Sequence, residues 1–327
     1  MIADGAMAIP RLVIVLALIL PLVSAPRRVP AEIQAALPAP RSSLAPIVRQ
    51  ALPDRTRTQP ETARQAPLGK IEQSLGTELL AEIPAKEIGK RLDRYVAGRS
   101  ATVTAMVKDL ATGRLYRYHP GERLITASSA KVQILMALLL KTPWKKLPAD
   151  VRHDAEMMIR YSDNHAADRL WLRVGGAAGF TKAGRTFGLK HTQGVPGDCV
   201  DLYCWGITRT SVDDQIRLMQ ALVSGKSPLK TKDRDQVLKL MGEVIDGQNW
   251  GIGVAACEGD RVAVKNGWLK RVSTKLWATI SVGLIRGDGH DYAIAVLTEG
   301  SPEVGYGIAT VEGVTKRIMQ SFRKCRD

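Results

Sequence analysis

A run of nine residues near the middle of the chain is apolar on almost every side. It reads VQILMALLL, from Val132 to Leu140, and Gln133 is its one polar residue. A helix at a protein surface carries a single apolar stripe, whereas a helix that is apolar all round is buried. The sequence therefore predicts a central helix, and the fold must cover this helix on more than one side.

Strand-like segments lie in two groups, one before and one after this helix. Thr102 to Leu110 and Arg114 to Pro120 surround a Thr-Gly turn and predict a β-hairpin. Three later strands are predicted at Asp260 to Asn266, Leu276 to Arg286 and Asp291 to Glu299. Predicted helices near the two ends of the domain span Glu78 to Val96 and Val311 to Phe322. The pattern predicts an α/β (α+β) fold: an antiparallel sheet flanked by terminal helices, with an inserted helical subdomain.

The first 25 residues have the layout of an export signal. Leu12 to Val23 is a short apolar stretch, preceded by Arg11 and followed by Ser24 and Ala25. Residues 1–25 are thus predicted to be a signal peptide or a membrane anchor, and both remain open. We expect the protein to be secreted or anchored on the outer face of the cytoplasmic membrane.

The chain is strongly basic, with 47 Lys and Arg against 32 Asp and Glu and a net charge of +15. Residues 26–70 are rich in Pro, Ala and Arg and predict a disordered linker, which leaves residues 71–327 as one domain. A basic exported chain would associate electrostatically with a membrane or cell wall, although a merely solubilising surface is the alternative. The sequence has no zinc spacing or RNA-binding signature, so we expect no nucleic acid partner. We also expect a monomer.

Cysteine and histidine usage argues for disulfides and against a metal. The four cysteines are Cys199, Cys204, Cys257 and Cys325. An even number of cysteines in an exported chain makes disulfides plausible, and three pairings remain open. The five histidines are scattered and none has ligand spacing to a cysteine pair, so we expect no metal and no cofactor.

Ser128 and Lys131 stand three residues apart at the start of the central helix. At this spacing two helical side chains share a face and can meet. A serine is a weak nucleophile until a base takes its proton, and burial would lower the pKa of lysine enough for that task. The same Ser-x-x-Lys pattern recurs at Ser227 and Ser321, where no apolar helix follows. The alternative is that Ser128 only caps the helix.

Two further clusters support the catalytic interpretation. Ser162, Asp163 and Asn164 precede a helical run, and Lys265-Asn266-Gly267 lies at the end of a predicted strand. Ser-x-x-Lys, Ser-Asp-Asn and Lys-Thr-Gly together are a known signature set. From Leu80 to Phe322 the chain resembles the class A β-lactamase and D,D-peptidase (penicillin-binding protein-like) superfamily of acyl-serine enzymes. Within it, the chain most resembles secreted actinobacterial serine hydrolases.

The resemblance implies a role for each cluster. Ser128 would be the acylated nucleophile and Lys131 its proton partner. Ser162 would relay a proton to the leaving nitrogen beside the positive charge of Lys265, and the backbone N–H groups of Ser128 and Trp268 would form the oxyanion hole. The substrate-binding residues would be Asn164, Asn266, Gly267 and Trp268. The substrate would be a small molecule or derived from peptidoglycan. The alternatives are that Ser162 or Asp163 caps a helix and that Lys265 is a solvated strand end.

The chain departs from the family pattern in two places. Asn266 replaces the usual Thr or Ser of the third motif, and the segment TQGVPGDCVDLYCWG contains no Glu to hold a deacylating water. Asp198 is a tentative base, although it could equally be a loop residue satisfied by turn N–H groups. We therefore expect an acyl-serine hydrolase of β-lactams or related amides and esters with slow deacylation. The alternatives are a D,D-peptidase-like enzyme of peptidoglycan and a catalytically decayed wall-binding protein.

Overall fold

The computed structural model describes residues 83–197 and 204–325. The predicted signal or anchor (1–25), the predicted linker (26–70) and Asp198 lie outside these described residues. Within the two described ranges, no helix has the length and apolar character needed to cross a membrane.

The sheet of the domain has five antiparallel strands in the order β2-β1-β7-β6-β5. Their bounds are β1 Thr102–Asp109, β2 Leu115–Tyr118, β5 Arg261–Lys270, β6 Trp277–Gly287 and β7 His290–Ser301. The predicted early hairpin and the three late strands are confirmed. Strand β5 extends four residues beyond the predicted end at Asn266, because pairing with β6 continues to Lys270 opposite Trp277.

Two terminal helices cover one face of the sheet. They are α1, Ala85–Val96, and α9, Val304–Met319. Ile88 of α1 and Val311 and Ile318 of α9 are buried in one apolar cluster with residues of the strands. The predicted flanking of the sheet by terminal helices is therefore confirmed.

The opposite side of the sheet carries the helical subdomain. Its helices are α2 Ala130–Lys141, α3 Ala149–Arg160, α4 Asn164–Val174, α5 Gly176–Thr186, α6 Cys204–Ile207, α7 Val212–Val223 and α8 Thr231–Gly242. Helix α2 packs against α3, α4, α5 and α8, and all its residues from Ala130 to Leu139 are buried. The prediction of a central buried helix is confirmed, and even Gln133 is buried, where it donates to the Phe180 carbonyl.

A second, two-stranded sheet was not foreseen from the sequence. Strand β3, Leu124–Ile125, pairs with β4, Arg209–Thr210. Just after β3, Thr126 donates its backbone N–H to the Thr208 carbonyl and its hydroxyl to the Trp205 carbonyl. Two residues are too few to show a strand period, so only the folded chain reveals that this pairing fixes the approach to Ser128.

Candidate active site

Ser128 lies in a short 3₁₀ turn, Ala127–Ser129, that leads directly into α2. Ala127 has a positive φ of 42°, a conformation that costs a non-glycine residue roughly 1–3 kcal/mol and that clusters at functional sites. No side chain caps the start of α2, so Ser128 does not act as a helix cap. Instead, its hydroxyl faces Lys131.

Lys131 is fully buried, and its Nζ is the hub of the site. Nζ lies 3.0 Å from Ser128 Oγ, 2.6 Å from the Ser162 carbonyl oxygen and 2.8 Å from Asn164 Oδ1. A neutral amine has two N–H groups and one lone pair. The two N–H groups match the carbonyl and the Asn164 oxygen, which leaves the lone pair for the proton of Ser128. This arrangement suits a base.

Electrostatics favour the neutral form of Lys131. Burial lowers its pKa well below the ordinary value, and the nearby charge of Lys265 lowers the pKa further. The carboxylates of Asp163 and Asp168 oppose these two effects. Burial and the like charge of Lys265 thus both favour the neutral form of Lys131.

Ser162 stands between the two lysines. Its Oγ lies 3.2 Å from Lys131 Nζ and 2.9 Å from Lys265 Nζ. Ser162 has a positive φ of 58°, and the next residue, Asp163, caps α4 by accepting the Ala166 N–H at 2.6 Å. The capping alternative therefore describes Asp163, while the Ser162 hydroxyl is left at the centre of the cluster.

Lys265 is fully buried, in contrast to the alternative of a solvated strand end. Its Nζ donates to Ser162 Oγ and, at 2.9 Å, to the Asn266 carbonyl. Burial lowers the pKa of Lys265 to about 7. The Ser128, Lys131, Ser162 and Lys265 side chains thus form one continuous chain of contacts, drawn from the start of α2, the start of α4 and strand β5.

Gly267 brings the backbone of β5 against Ser128. A Cβ atom at this position would lie 2.5 Å from the Ser128 backbone nitrogen, closer than any side chain tolerates. Glycine is therefore required for the approach. Trp268 follows on the same strand, half-buried, with its ring 6.1 Å from that of Trp250.

The structure places Asn266 differently from a substrate-binding residue. Its side chain is fully buried and its Nδ2 donates to the carbonyl oxygens of Gln248 and Trp250 at 2.8 and 2.7 Å. Successive side chains of a strand point to opposite faces, so with Lys265 and Gly267 facing the Ser128 side of the strand, Asn266 faces away. This is a correction to the sequence-based expectation: the amide holds a loop inside the protein.

Asp168 is a titratable residue that the sequence analysis missed. It is 8% exposed, and its Oδ1 accepts a hydrogen bond from Trp205 Nε1 at 2.8 Å. The ring of Trp205 lies 4.6 Å from Lys131 Nζ. Its position four residues after Asn164 on one helix face was a usable signal. Across residues 83–197 and 204–325, no three His, Cys, Asp or Glu side chains gather as metal ligands would.

Comparison with known proteins gives one family match. Residues 141–322 match the model of the beta-lactamase enzyme family. This region contains Ser162 and Lys265 and begins just after Ser128 and Lys131. The interpretation of those two residues therefore depends on their geometry.

Curated relatives and solved structures also resemble the chain. The putative lipoprotein LppW of Mycobacterium tuberculosis is 33% identical over 199 residues, which cover 58% of this chain and 60% of LppW. The structure of PBP-A has a TM-score of 0.63 at 20% identity and covers 74% of this chain and 97% of its own. A class A β-lactamase from Bacteroides cellulosilyticus also has a TM-score of 0.63, at 18% identity, over 74% of this chain and 99% of its own. At such identities the structural likeness shows the fold alone.

Proposed function

Because the chain belongs to the beta-lactamase enzyme family, we propose that it is an exported acyl-serine hydrolase whose nucleophile is Ser128. The observation that carries this proposal is the 3.0 Å contact of Ser128 Oγ with the buried Lys131 Nζ, whose pKa is lowered. A buried amine in this state is the base that a serine nucleophile requires.

The proposed acylation follows from the contacts in the site. Lys131 Nζ takes the proton of Ser128 Oγ, and Oγ bonds to the carbonyl carbon of a β-lactam, amide or ester. The backbone N–H groups of Ser128 and Trp268 stabilise the oxyanion, a contribution of roughly 10²–10³ in rate per donor. As the intermediate collapses, Ser162 Oγ protonates the leaving group and is reprotonated through Lys131.

Lys265 supports this proton transfer in the proposal. Its Nζ lies 2.9 Å from Ser162 Oγ, so a positive charge there favours the oxygen that has just given up its proton. Asn164 holds Lys131 in place through its Oδ1, and the Nδ2 group of Asn164 is directed toward a substrate amide.

Export and location belong to the same proposal. The apolar segment Leu12 to Val23, the name of the relative LppW as a putative lipoprotein and a disulfide between Cys257 and Cys325 all support an extracytoplasmic protein. The chain spans 60% of the length of that relative. We propose a secreted or outer-face-anchored monomer, drawn to the anionic membrane or wall by its net charge of +15.

A D,D-peptidase-like activity on peptidoglycan is the second candidate function. The absence of Glu from the segment between Thr192 and Gly206 favours this candidate, because an acyl-enzyme that lacks an efficient water-activating base is released slowly. The physiological substrate would then be a peptide amide of the cell wall.

Substrate turnover tests the proposal. The purified full-length chain is assayed with a chromogenic cephalosporin, an activated aryl ester and a D-Ala-D-Ala peptide, beside the Ser128→Ala variant. We expect hydrolysis of at least one substrate that Ser128→Ala loses. Loss on the cephalosporin supports the β-lactamase activity, and loss on the peptide alone supports the peptidase. Equal rates with Ser128→Ala, or no hydrolysis at all by the folded protein, would contradict the proposal and favour a wall-binding protein.

A further inference from the structure

Asp168 is a buried carboxyl group that takes no part in the proposed acylation step. Its Oδ1 is engaged by Trp205 Nε1 at 2.8 Å. Its Oδ2 has no hydrogen-bond donor within residues 83–197 and 204–325. With no protein donor among these residues, Oδ2 is available to a water molecule.

The position of Asp168 on α4 places its side chain on the helix face that also carries Asn164. Asn164 and Asp168 are four residues apart in α4 and therefore share a face, with Cβ atoms roughly 5–6 Å apart. Asn164 Oδ1 lies 2.8 Å from Lys131 Nζ, which in turn lies 3.0 Å from Ser128 Oγ. One bridging water spans roughly 5–6 Å, twice a hydrogen bond of about 2.8 Å. Asp168 thus shares a helix face with a residue that contacts Lys131, and a water of this span is the link to an acyl group on Ser128 that a base at this position requires.

Trp205 fixes the carboxylate from the opposite side. Its Nε1 donates to Asp168 Oδ1, while its ring lies 4.6 Å from Lys131 Nζ. Trp205 is itself held by the hydrogen bond from the Thr126 hydroxyl to its carbonyl, two residues before the nucleophile. Trp205 thus contacts Asp168 and Lys131 through its indole and the segment before Ser128 through its backbone carbonyl.

We propose that Asp168 is the base for deacylation, and that its Oδ2 accepts a proton from the water that attacks the acyl-enzyme on Ser128. This inference rests on the proposed function, since an acyl-enzyme must form first. The water oxygen bonds to the acyl carbon as its proton passes to Asp168. The bond from the acyl carbon to Ser128 Oγ then breaks, and the proton held by Asp168 is returned to Oγ, so both residues regain their starting states.

The charges around Asp168 suit this task. Burial raises its pKa to about 6, against the opposing effects of the Trp205 hydrogen bond and of His165 and Lys131 nearby. Asp163 raises the pKa further, and Arg169 on the same helix is paired with Asp154. The carboxylate is mostly ionised at neutral pH, and its pKa is nearer the working pH than that of an ordinary aspartate, as an efficient base requires.

Mass spectrometry of the intact full-length chain mixed with benzylpenicillin measures adduct formation and adduct loss separately. Asp168→Asn preserves the shape of the side chain and an oxygen for Trp205 Nε1, but removes the base. We expect this variant to form the adduct within a few-fold of the wild-type rate and to lose it about 10²-fold more slowly or worse. Asp235→Asn, an exposed carboxylate on α8, is the matched control and should behave as the wild type does.

Four results would overturn the assignment of Asp168. The first is that Asp168→Asn loses the adduct at the wild-type rate, and the second is that the wild-type adduct persists as long as that of the variant. The third is that Asp198→Asn, and not Asp168→Asn, retains the adduct. The fourth is that the folded wild type forms no adduct. The last result also removes the proposed function with this substrate, whereas the first three leave acylation of Ser128 intact.

The pH dependence of wild-type release provides a second test should Asp168→Asn not fold. Only the ionised carboxylate accepts a proton, so release should slow about tenfold per pH unit below a pKa of about 6. A release rate that is unchanged from about pH 8 to about pH 5 would overturn the assignment.

Discussion

At the scale of single residues, two buried lysines in contact through one serine define the site. Moving an ammonium ion out of water is expensive, and a buried lysine responds by losing its proton more readily. Lys131 and Lys265 both show this response through burial, and the charge of Lys265 lowers the pKa of Lys131 further. The protein thus accepts a cost in stability in exchange for an amine that can act as a base at neutral pH.

The effect of Lys265 on Lys131 predicts a shift in the pH profile of acylation. Acylation requires neutral Lys131, so its rate rises as pH increases through the pKa of Lys131. Lys265→Met removes a positive charge that lowers this pKa, so the pKa should rise and the acidic limb of the profile should move to higher pH. Acylation rates with benzylpenicillin across the pH range provide the measurement.

Lys270→Met is the matched control, because Lys270 is an exposed lysine on the same strand. The pH profile of acylation of Lys270→Met should match that of the wild type. An acidic limb that stays in place in Lys265→Met, or that moves equally in Lys270→Met, would contradict the account of the lysine pair.

The sequence located the four residues of the contact chain because they fall in three recognisable clusters. It did not place Asn266 correctly, since the alternation of a strand sends that amide to the face opposite Lys265, into a loop at Gln248 and Trp250. It also missed Asp168, whose environment depends on Trp205, 37 residues away. Contacts of that kind follow from packing and leave no local pattern.

At the scale of elements, strand β5 and the 3₁₀ turn Ala127–Ser129 must approach within backbone contact. Gly267 makes that possible, because the space of its absent Cβ is occupied by the Ser128 nitrogen, the Ala127 Cβ and the Ser128 Cα. Because backbone surrounds this position, a neighbouring side chain cannot rotate away to relieve the contact.

Gly267→Ala should therefore separate β5 from the nucleophile. We expect a loss of roughly 1–3 kcal/mol in the free energy of unfolding from overpacking, and a fall of about 10²-fold in acylation from misplacement of the oxyanion donors. Denaturant unfolding and adduct formation measure the two effects.

Gly305→Ala provides the comparison at a position with open space. Gly305 lies in α9, has no neighbouring atom within 4 Å of an added Cβ and does not have a positive φ. The change should preserve acylation and raise stability by up to about 1 kcal/mol, as alanine does in a helix. Normal acylation in Gly267→Ala would contradict the close approach of β5.

Element positions were largely predictable, and element ends were less so. A run that is apolar on almost every side predicted the buried helix, and strand-like segments bounded by turn residues predicted five strands. The end of β5 was placed too early, since its last residues continue the pairing with β6 through Trp268 and Leu269, opposite Thr279 and Ala278. The short pair β3 and β4 was missed, because two residues carry no period.

At the scale of the whole molecule, the site lies where the sheet meets the helical subdomain. Ser128 lies in the turn that leads into the subdomain helix α2, and Ser162 lies just before the subdomain helix α4. Lys265 lies on strand β5 of the sheet. The sequence predicted both layers but not the strand order, in which β1 lies between β2 and β7. Pairing between strands that are far apart in sequence depends on the closure of the whole domain, and local periodicity does not record it.

A disulfide ties the end of the chain back to the domain. Cys257 and Cys325 are 68 residues apart and their Cα atoms are 5.4 Å apart, and Arg323 forms an ion pair with Asp260 beside them. Closing a loop of this length stabilises the folded state by about 4 kcal/mol in the chain-entropy account. Cys204 is disulfide-bonded as well, whereas Cys199 lies outside the described residues. Both observations agree with the oxidising compartment expected for an exported chain.

The most direct test of the account is to identify the residue that a penicillin acylates. The full-length chain is incubated with a fluorescent penicillin, digested and mapped by mass spectrometry, beside Ser128→Ala and Lys131→Met. We expect one adduct, on Ser128, that is absent from Ser128→Ala and forms roughly 10²–10⁴-fold more slowly in Lys131→Met. An adduct on Ser162 or another residue, or full-rate acylation of Lys131→Met, would contradict it.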